Sequence, residues 1–346
     1  MIENESLPIG FDEFIKLTII SHWIYRIWTI LFNILGITGN IFALIIFIRW
    51  ANRLSLYIYF SFLCIINILI LCIDMNYHFL IPFIMDSKIL VENLLPISCK
   101  FIFFLTYFFR YLFIWIIVMI NIDRCIYLTE NSFKKILCQQ RTAKIICLIL
   151  ILFSFIANCH FLIYFNQPII TKIPLNNTCF LDGLLCHCKS LHSTYKLFWK
   201  NIWPMYNLII FGIIPLSIMI ICGIIIIRNI YLTRKNVYGK RRNSNVSVKS
   251  QNDHLYSITK TLIWLDLLFP ITIFPILLLQ IYVHYKSPKN CSTIGIMNLI
   301  FSIGFSMIYF KNTFAFFIFY LTGQKFRRAF STLIHCKKIS GYTESH

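Results

Sequence analysis

CKFIFFLTYFFRYLFIWIIVMINIDRC, residues 99–125, is the stretch on which the fold turns. Between Lys100 and Asp123 stand 22 residues with a single charge, Arg110. A helix rises about 1.5 Å per residue, so this run covers roughly 33 Å, the thickness of a bilayer's hydrocarbon core. It is apolar on every side, and a helix in water needs a polar face. The stretch therefore reads as a membrane-crossing helix. An Asp-Arg pair closes one end, and a lone guanidinium lies near its middle, where an uncompensated charge is costly.

Six further apolar runs accompany it, giving seven at about 26–48, 56–80, 98–125, 143–165, 201–231, 258–282 and 293–321. Pro215 falls inside the fifth, Pro270 and Pro275 inside the sixth, which membrane helices tolerate. Composition agrees. Of 346 residues 58% are hydrophobic and 13% charged, whereas soluble domains carry about a quarter charged residues. The expected fold is an all-α membrane protein, a seven-transmembrane-helix bundle. Residues 1–25 are expected as an extracellular N-terminus and 26–322 as the bundle. The third inner loop is expected at about 232–257 as a flexible segment, and 323–346 as a surface helix with a short tail.

The net charge of +19 does not indicate a nucleic-acid partner, because the basic residues lie between apolar runs and form no basic domain. Placing the N-terminus outside leaves the inner loops and tail with roughly twice the Lys and Arg of the outer segments, as the positive-inside rule requires. The first 25 residues carry Glu3, Glu5, Asp12 and Glu13 against Lys16. They lack a cleaved signal's basic start and short apolar stretch, so the first helix is expected to direct insertion into the plasma membrane.

Five cysteines fall at outer positions: Cys99, Cys179, Cys186, Cys188 and Cys291. The outside permits disulfides, and an odd count leaves one thiol over or paired elsewhere. Cys186-His187-Cys188 lacks a second ligand pair at zinc spacing, and no metal or cofactor is expected. Sequons at Asn4, Asn176 and Asn290 lie outside and are candidate glycosylation sites; a fourth, Asn245, lies inside.

Spaced residues carry a family resemblance. Gly39-Asn40 resembles the first-helix Gly-Asn signature of rhodopsin-like G-protein-coupled receptors. Asp123-Arg124-Cys125 resembles their Asp-Arg-Tyr motif, with Arg124 at the family's 25-residue distance from Cys99. Pro215 resembles the fifth-helix proline, and Phe269-x-x-Thr272-x-x-Pro275 the sixth-helix Phe-x-x-Cys-Trp-x-Pro pattern. Gly323-Gln324-Lys325-Phe326-Arg327-Arg328 resembles the start of the family's surface helix. The resemblance spans residues 27–338. It implies an extracellular ligand, peptide or small molecule, and a heterotrimeric G protein engaged at Asp123 and Arg124. It implies a disulfide from Cys99 to Cys179, Cys186 or Cys188, and packing roles for Asn40, Asn67, Pro215, Phe269 and Pro275.

The departures are as specific. The family's second-helix Asp is Asn67 here, and its Asn-Pro-x-x-Tyr aligns with Ala315-Phe316-Phe317-Ile318-Phe319. A sodium ion wants hard, negatively charged oxygens, so the family's sodium site is not expected. The chain resembles a divergent branch near the neuropeptide receptors. After Gly323, the apolar stripe Phe326, Phe330, Leu333, Ile334 runs beside Lys325, Arg327 and Arg328, the pattern of a helix lying on membrane lipid. Cys336 at its end is a palmitoylation candidate, with an unmodified thiol as the alternative.

Four charges lie within the spans: Asp74, Arg110, Asp266 and Lys311. Arg110 is about 16 Å and Asp74 about 12 Å below the outer end. Three readings stay open: a structural Asp74–Arg110 ion pair, an Arg110 that meets an acidic group of a ligand, or a polar residue facing a neighbouring helix. Arg124 has an anchoring reading beside its switch reading. The basic residues Lys240, Arg241 and Arg242 suit anionic lipid as well as a protein partner. No enzyme motif is present, and no catalysis is expected. A transporter or channel, which would show repeats or a continuous polar path, and a seven-helix chemoreceptor of other lineage are the competing classes.

Overall fold

The structure is a computed structural model and describes residues 10–52, 54–75, 88–129, 134–168, 188–190, 192–239, 246–286 and 290–335. Among the described residues, seven helices are long and apolar enough to cross a membrane. We label them α1 (Phe11–Trp50), α2 (Ser55–Met75), α3 (Lys88–Leu128), α4 (Gln140–Tyr164), α5 (Trp203–Leu232), α6 (Val246–Tyr285) and α7 (Cys291–Thr322). A short helix, α8 (Gln324–Ile334), follows. The chain is a multi-pass membrane protein. Ile145, Leu148, Ile149, Leu152 and Ile156 of α4 are exposed along its flank, a surface that water would not tolerate and hydrocarbon chains cover.

Several helices outrun their apolar segments. α1 begins at Phe11, not near residue 26, and its first turns lie on α7. There Phe14 packs with Cys291 and Ile294, and Ser292 donates to Glu13 Oε2 at 2.6 Å. Part of the expected N-terminal segment is thus helix. Helix also occupies most of the expected third inner loop. It continues to Gly239 and resumes at Val246, while Lys240, Arg241 and Arg242 lie outside the described residues. Hydropathy marks where lipid is, and a helix continues into water wherever its backbone bonds are kept. Apart from the helices, the described residues form one short antiparallel ribbon, β1 (Phe165–Pro168) with β2 (Cys188–Ser190), resting against α3.

Two local features shape the bundle. The turn before Pro215 is a π-turn, Leu208–Ile213. Proline supplies no N–H and crowds the carbonyl four residues back, which loosens that turn. A second π-turn, Ile70–Met75, is the last described turn of α2 and carries Asp74 into the core. α1 meets α7 closely through Gly36 and Gly39. A Cβ on Gly36 would stand 2.5 Å from Leu71 Cδ1 and 2.7 Å from Thr313 Oγ1, and one on Gly39 2.9 Å from Phe316 Cβ. Small residues permit such approach where helices associate by packing alone.

α8 turns off at Gly323, where a Cβ would stand 2.7 Å from the Phe319 carbonyl. Arg327 Nη1 donates to the carbonyls of Tyr320 at 3.0 Å and Leu321 at 2.9 Å, satisfying acceptors that the end of α7 leaves open. Phe326 is buried against Phe47 and Phe319. Phe330 packs on Phe42 and Phe316, while Ile334 stays exposed. Leu333 also packs against the core, so three of the four residues of the expected lipid-facing stripe dock on the bundle. Cys336 lies outside the described residues.

Candidate functional site

At the expected inner end, Asp123 and Arg124 are both buried, at 4% and 2% exposure. Arg124 Nε donates to Asp123 Oδ2 at 3.0 Å, and Nη2 donates to the same oxygen. Ser55 of α2 donates to Asp123 Oδ1 at 2.7 Å, so the acid is held from two helices. The Arg124 guanidinium lies over the Tyr127 ring, 4.6 Å from its centroid. Its third nitrogen, Nη1, is buried with no acceptor. A buried donor left unmade costs about 1–3 kcal/mol, more for a charged one. Nearby, Asn121 Nδ2 donates to Asp266 Oδ1 at 2.8 Å, a polar link between α3 and α6.

In mid-bundle, Asn67 Nδ2 donates to Asn40 Oδ1 at 2.9 Å. Asn40 Nδ2 donates to the carbonyls of Gly36 at 2.7 Å and Asn312 at 3.0 Å. This amide chain ties α1, α2 and α7 together. It offers neutral oxygens and no carboxylate, and Ala315 is buried without a polar atom to add, so the residues present do not fit a sodium ion. Phe269 is 1% exposed and Pro215 is buried, both within the core; Pro275 lies inside α6.

Toward the other end, Arg110 and Asp74 meet. Arg110 Nε stands 2.8 Å from Asp74 Oδ2, Thr106 donates to Asp74 Oδ1 at 2.9 Å, and Arg110 Nη2 donates to the Tyr309 hydroxyl at 3.0 Å. The same guanidinium lines a cavity of about 70 Å³ bounded by α2, α3, α5, α6 and α7. Lys311 and Asn312 of α7 and Asn207 of α5 line it too, among mainly aliphatic and aromatic walls. Arg110 is thus paired with Asp74 and also lines the cavity. Above, Tyr107, Phe161, Trp199 and Trp203 stack into an aromatic cluster.

Thr106, Tyr309, Ser55 and Asn121 were not among the sequence candidates. A Thr, Ser or Tyr in a membrane helix is no anomaly, so only their charged partners stood out. Among the cysteines, Cys179 and Cys186 lie outside the described residues, as do Asn4 and Asn176. Cys99 is in α3 and Cys188 opens β2, whose ribbon lies on α3. Cys291 is disulfide-bonded. Asn290 is exposed at the start of α7. Among the described residues no His, Cys, Asp or Glu cluster could hold a metal ion.

No curated protein matches the chain in sequence. Residues 39–314 match the family described as 7 transmembrane receptor (rhodopsin family), a match that takes in the amide chain, the cavity and the Asp-Arg pair alike. This chain belongs to the rhodopsin family of seven-transmembrane receptors.

Proposed function

We propose that the chain is a plasma-membrane receptor, N-terminus outside, that binds an extracellular ligand in the Arg110 cavity and activates a heterotrimeric G protein at Arg124. The observation that carries this reading is the buried Nη1 of Arg124. A guanidinium fully satisfied within the bundle would be structure. One held closed by Asp123 with an orphan donor is poised to gain an acceptor, such as a partner's backbone carbonyl, when the face opens. A ligand shifts that equilibrium only by its preference for the open state.

The disulfide of this assignment rests on the resemblance, the glycosylation on the sequons, and the acylation on the place of Cys336 after the apolar stripe. Cys99 pairs with Cys179, Cys186 or Cys188, tying the second outer loop to α3 beside the ribbon. Asn4, Asn176 and Asn290 are glycosylated, and Cys336 is palmitoylated. Ligand identity, peptide or small molecule, is left to screening with a second-messenger readout. G-protein recruitment is measured in cells expressing wild type or Arg124→Ala at matched surface levels, alongside ion flux. Recruitment by wild type, abolished in Arg124→Ala, is expected. Equal recruitment by the variant, or ion flux without recruitment, would overturn the assignment.

A further inference from the structure

We propose that the cavity binds a small monoanion, a carboxylate or a halide, with the Lys311 ammonium as its counter-ion. This deepens the receptor reading, on which it rests for the cavity's role as the ligand site.

The argument begins with a charge count. Arg110 and Lys311 both line the cavity. The carboxylate beside them is Asp74, fully buried, with Oδ2 engaged by Arg110 and Oδ1 by Thr106. The other acids of the neighbouring helices, Asp123 paired with Arg124 and the half-buried Asp266 hydrogen-bonded to Asn121, do not line the cavity. Two cations thus face one anion, and the unmatched group is Lys311.

Lys311 is 6% exposed. Its Nζ lies 4.2 Å from the Phe113 centroid and 5.7 Å from that of Phe269, and it has no hydrogen-bond acceptor or carboxylate partner among the described residues. Ring faces return about 2 kcal/mol to a desolvated cation. Withdrawing an ammonium from water costs several kcal/mol after relaxation. The rings offset only part of that cost, and an anion bound beside the nitrogen would stabilise its charged form. Arg110 helps, since two of its five N–H groups are engaged, by Asp74 and Tyr309. A cavity of about 70 Å³ exceeds the roughly 10–15 Å³ that one water needs, so an anion of a few heavy atoms enters. Its mostly apolar walls favour a weakly hydrated halide or a carboxylate with a short apolar tail over a phosphate or sulfate.

The test uses the full-length receptor in lipid nanodiscs, equilibrated in gluconate, an anion too bulky and too hydrated for the cavity. Apparent melting temperature is followed while chloride, propionate or propionamide is added. Saturation with the fitting anion is expected to raise it by about 2–6 °C, with propionamide inert. Lys311→Met keeps the length of the chain and removes the buried charge, so it is expected to fold and to lose the response; Lys311→Gln serves as a second variant. A rise with chloride assigns a free ion, and a rise with propionate alone assigns the carboxylate head of an organic ligand. No rise with either anion, or an equal rise in both variants, overturns the proposal. The readout needs no G protein. Recruitment with a flat anion response removes the site and leaves the coupling, while an anion response without recruitment does the reverse.

Discussion

Removing one half of a buried ion pair leaves the other half buried and uncompensated, at roughly 3–5 kcal/mol, whereas removing both halves is often nearly neutral. Asp74 and Arg110 are such a pair, with Thr106 and Tyr309 completing their bonds. Asp74→Asn and Arg110→Gln are each expected to cut surface expression severalfold, and the double variant is expected to recover most of it, read by surface immunolabelling. Recovery absent in the double variant would show that Arg110 serves something other than Asp74. Charges in apolar runs are conspicuous, so Asp74, Arg110, Asp123 and Arg124 were legible in the sequence. Lys311 and Asp266 were equally conspicuous as residues, but their surroundings were not. That Lys311 meets two phenylalanine rings depends on how α7, α3 and α6 are rotated, which no spacing along one helix reports.

Helix pairing rests on the close approach of α1 to α7 and α2, and the glycines state where it happens. Gly36→Ala would place a Cβ against Leu71, Thr313 Oγ1 and the Thr313 backbone. Overpacking of this kind costs about 1–3 kcal/mol, and the apparent melting temperature is expected to fall by several degrees. Gly223→Ala on α5 meets nothing within 4 Å and is the internal control, expected to be neutral. If both variants melt together with wild type, the α1–α7 contact is looser than described. The existence of seven helices was readable from hydropathy because each must present some twenty apolar residues to lipid. Their ends were not. The first turns of α1 rest on α7 through Phe14 and Glu13, and the ribbon of β1 and β2 is set by backbone pairing between residues about twenty apart in the chain. Neither leaves an apolar period in the sequence.

At the scale of the molecule, the cavity and the Arg124 face are linked only if the bundle has two arrangements. Parting α3 from α6 at the Arg124 end would break the hydrogen bond from Asn121 to Asp266, so that bond favours the closed form. Asp266→Leu removes a half-buried carboxylate and leaves Asn121 its bond to the Ile117 carbonyl, so folding is expected to survive while the closed form loses a contact. Basal G-protein recruitment should rise at matched surface expression. The size of that rise fixes a second quantity. Apparent ligand affinity scales with the fraction of receptor that is binding-competent. A variant that lifts the open fraction from about 1% to about 10% should therefore bind an agonist roughly tenfold more tightly, although no residue of the cavity has changed. Arg124→Ala should lower recruitment without following that relation, because it removes the contact and not the equilibrium. Agonist affinity on membranes carrying Asp266→Leu, set beside its basal recruitment, decides the matter. A clear rise in basal recruitment with unaltered affinity would mean that the cavity and the Arg124 face are not governed by one two-state change.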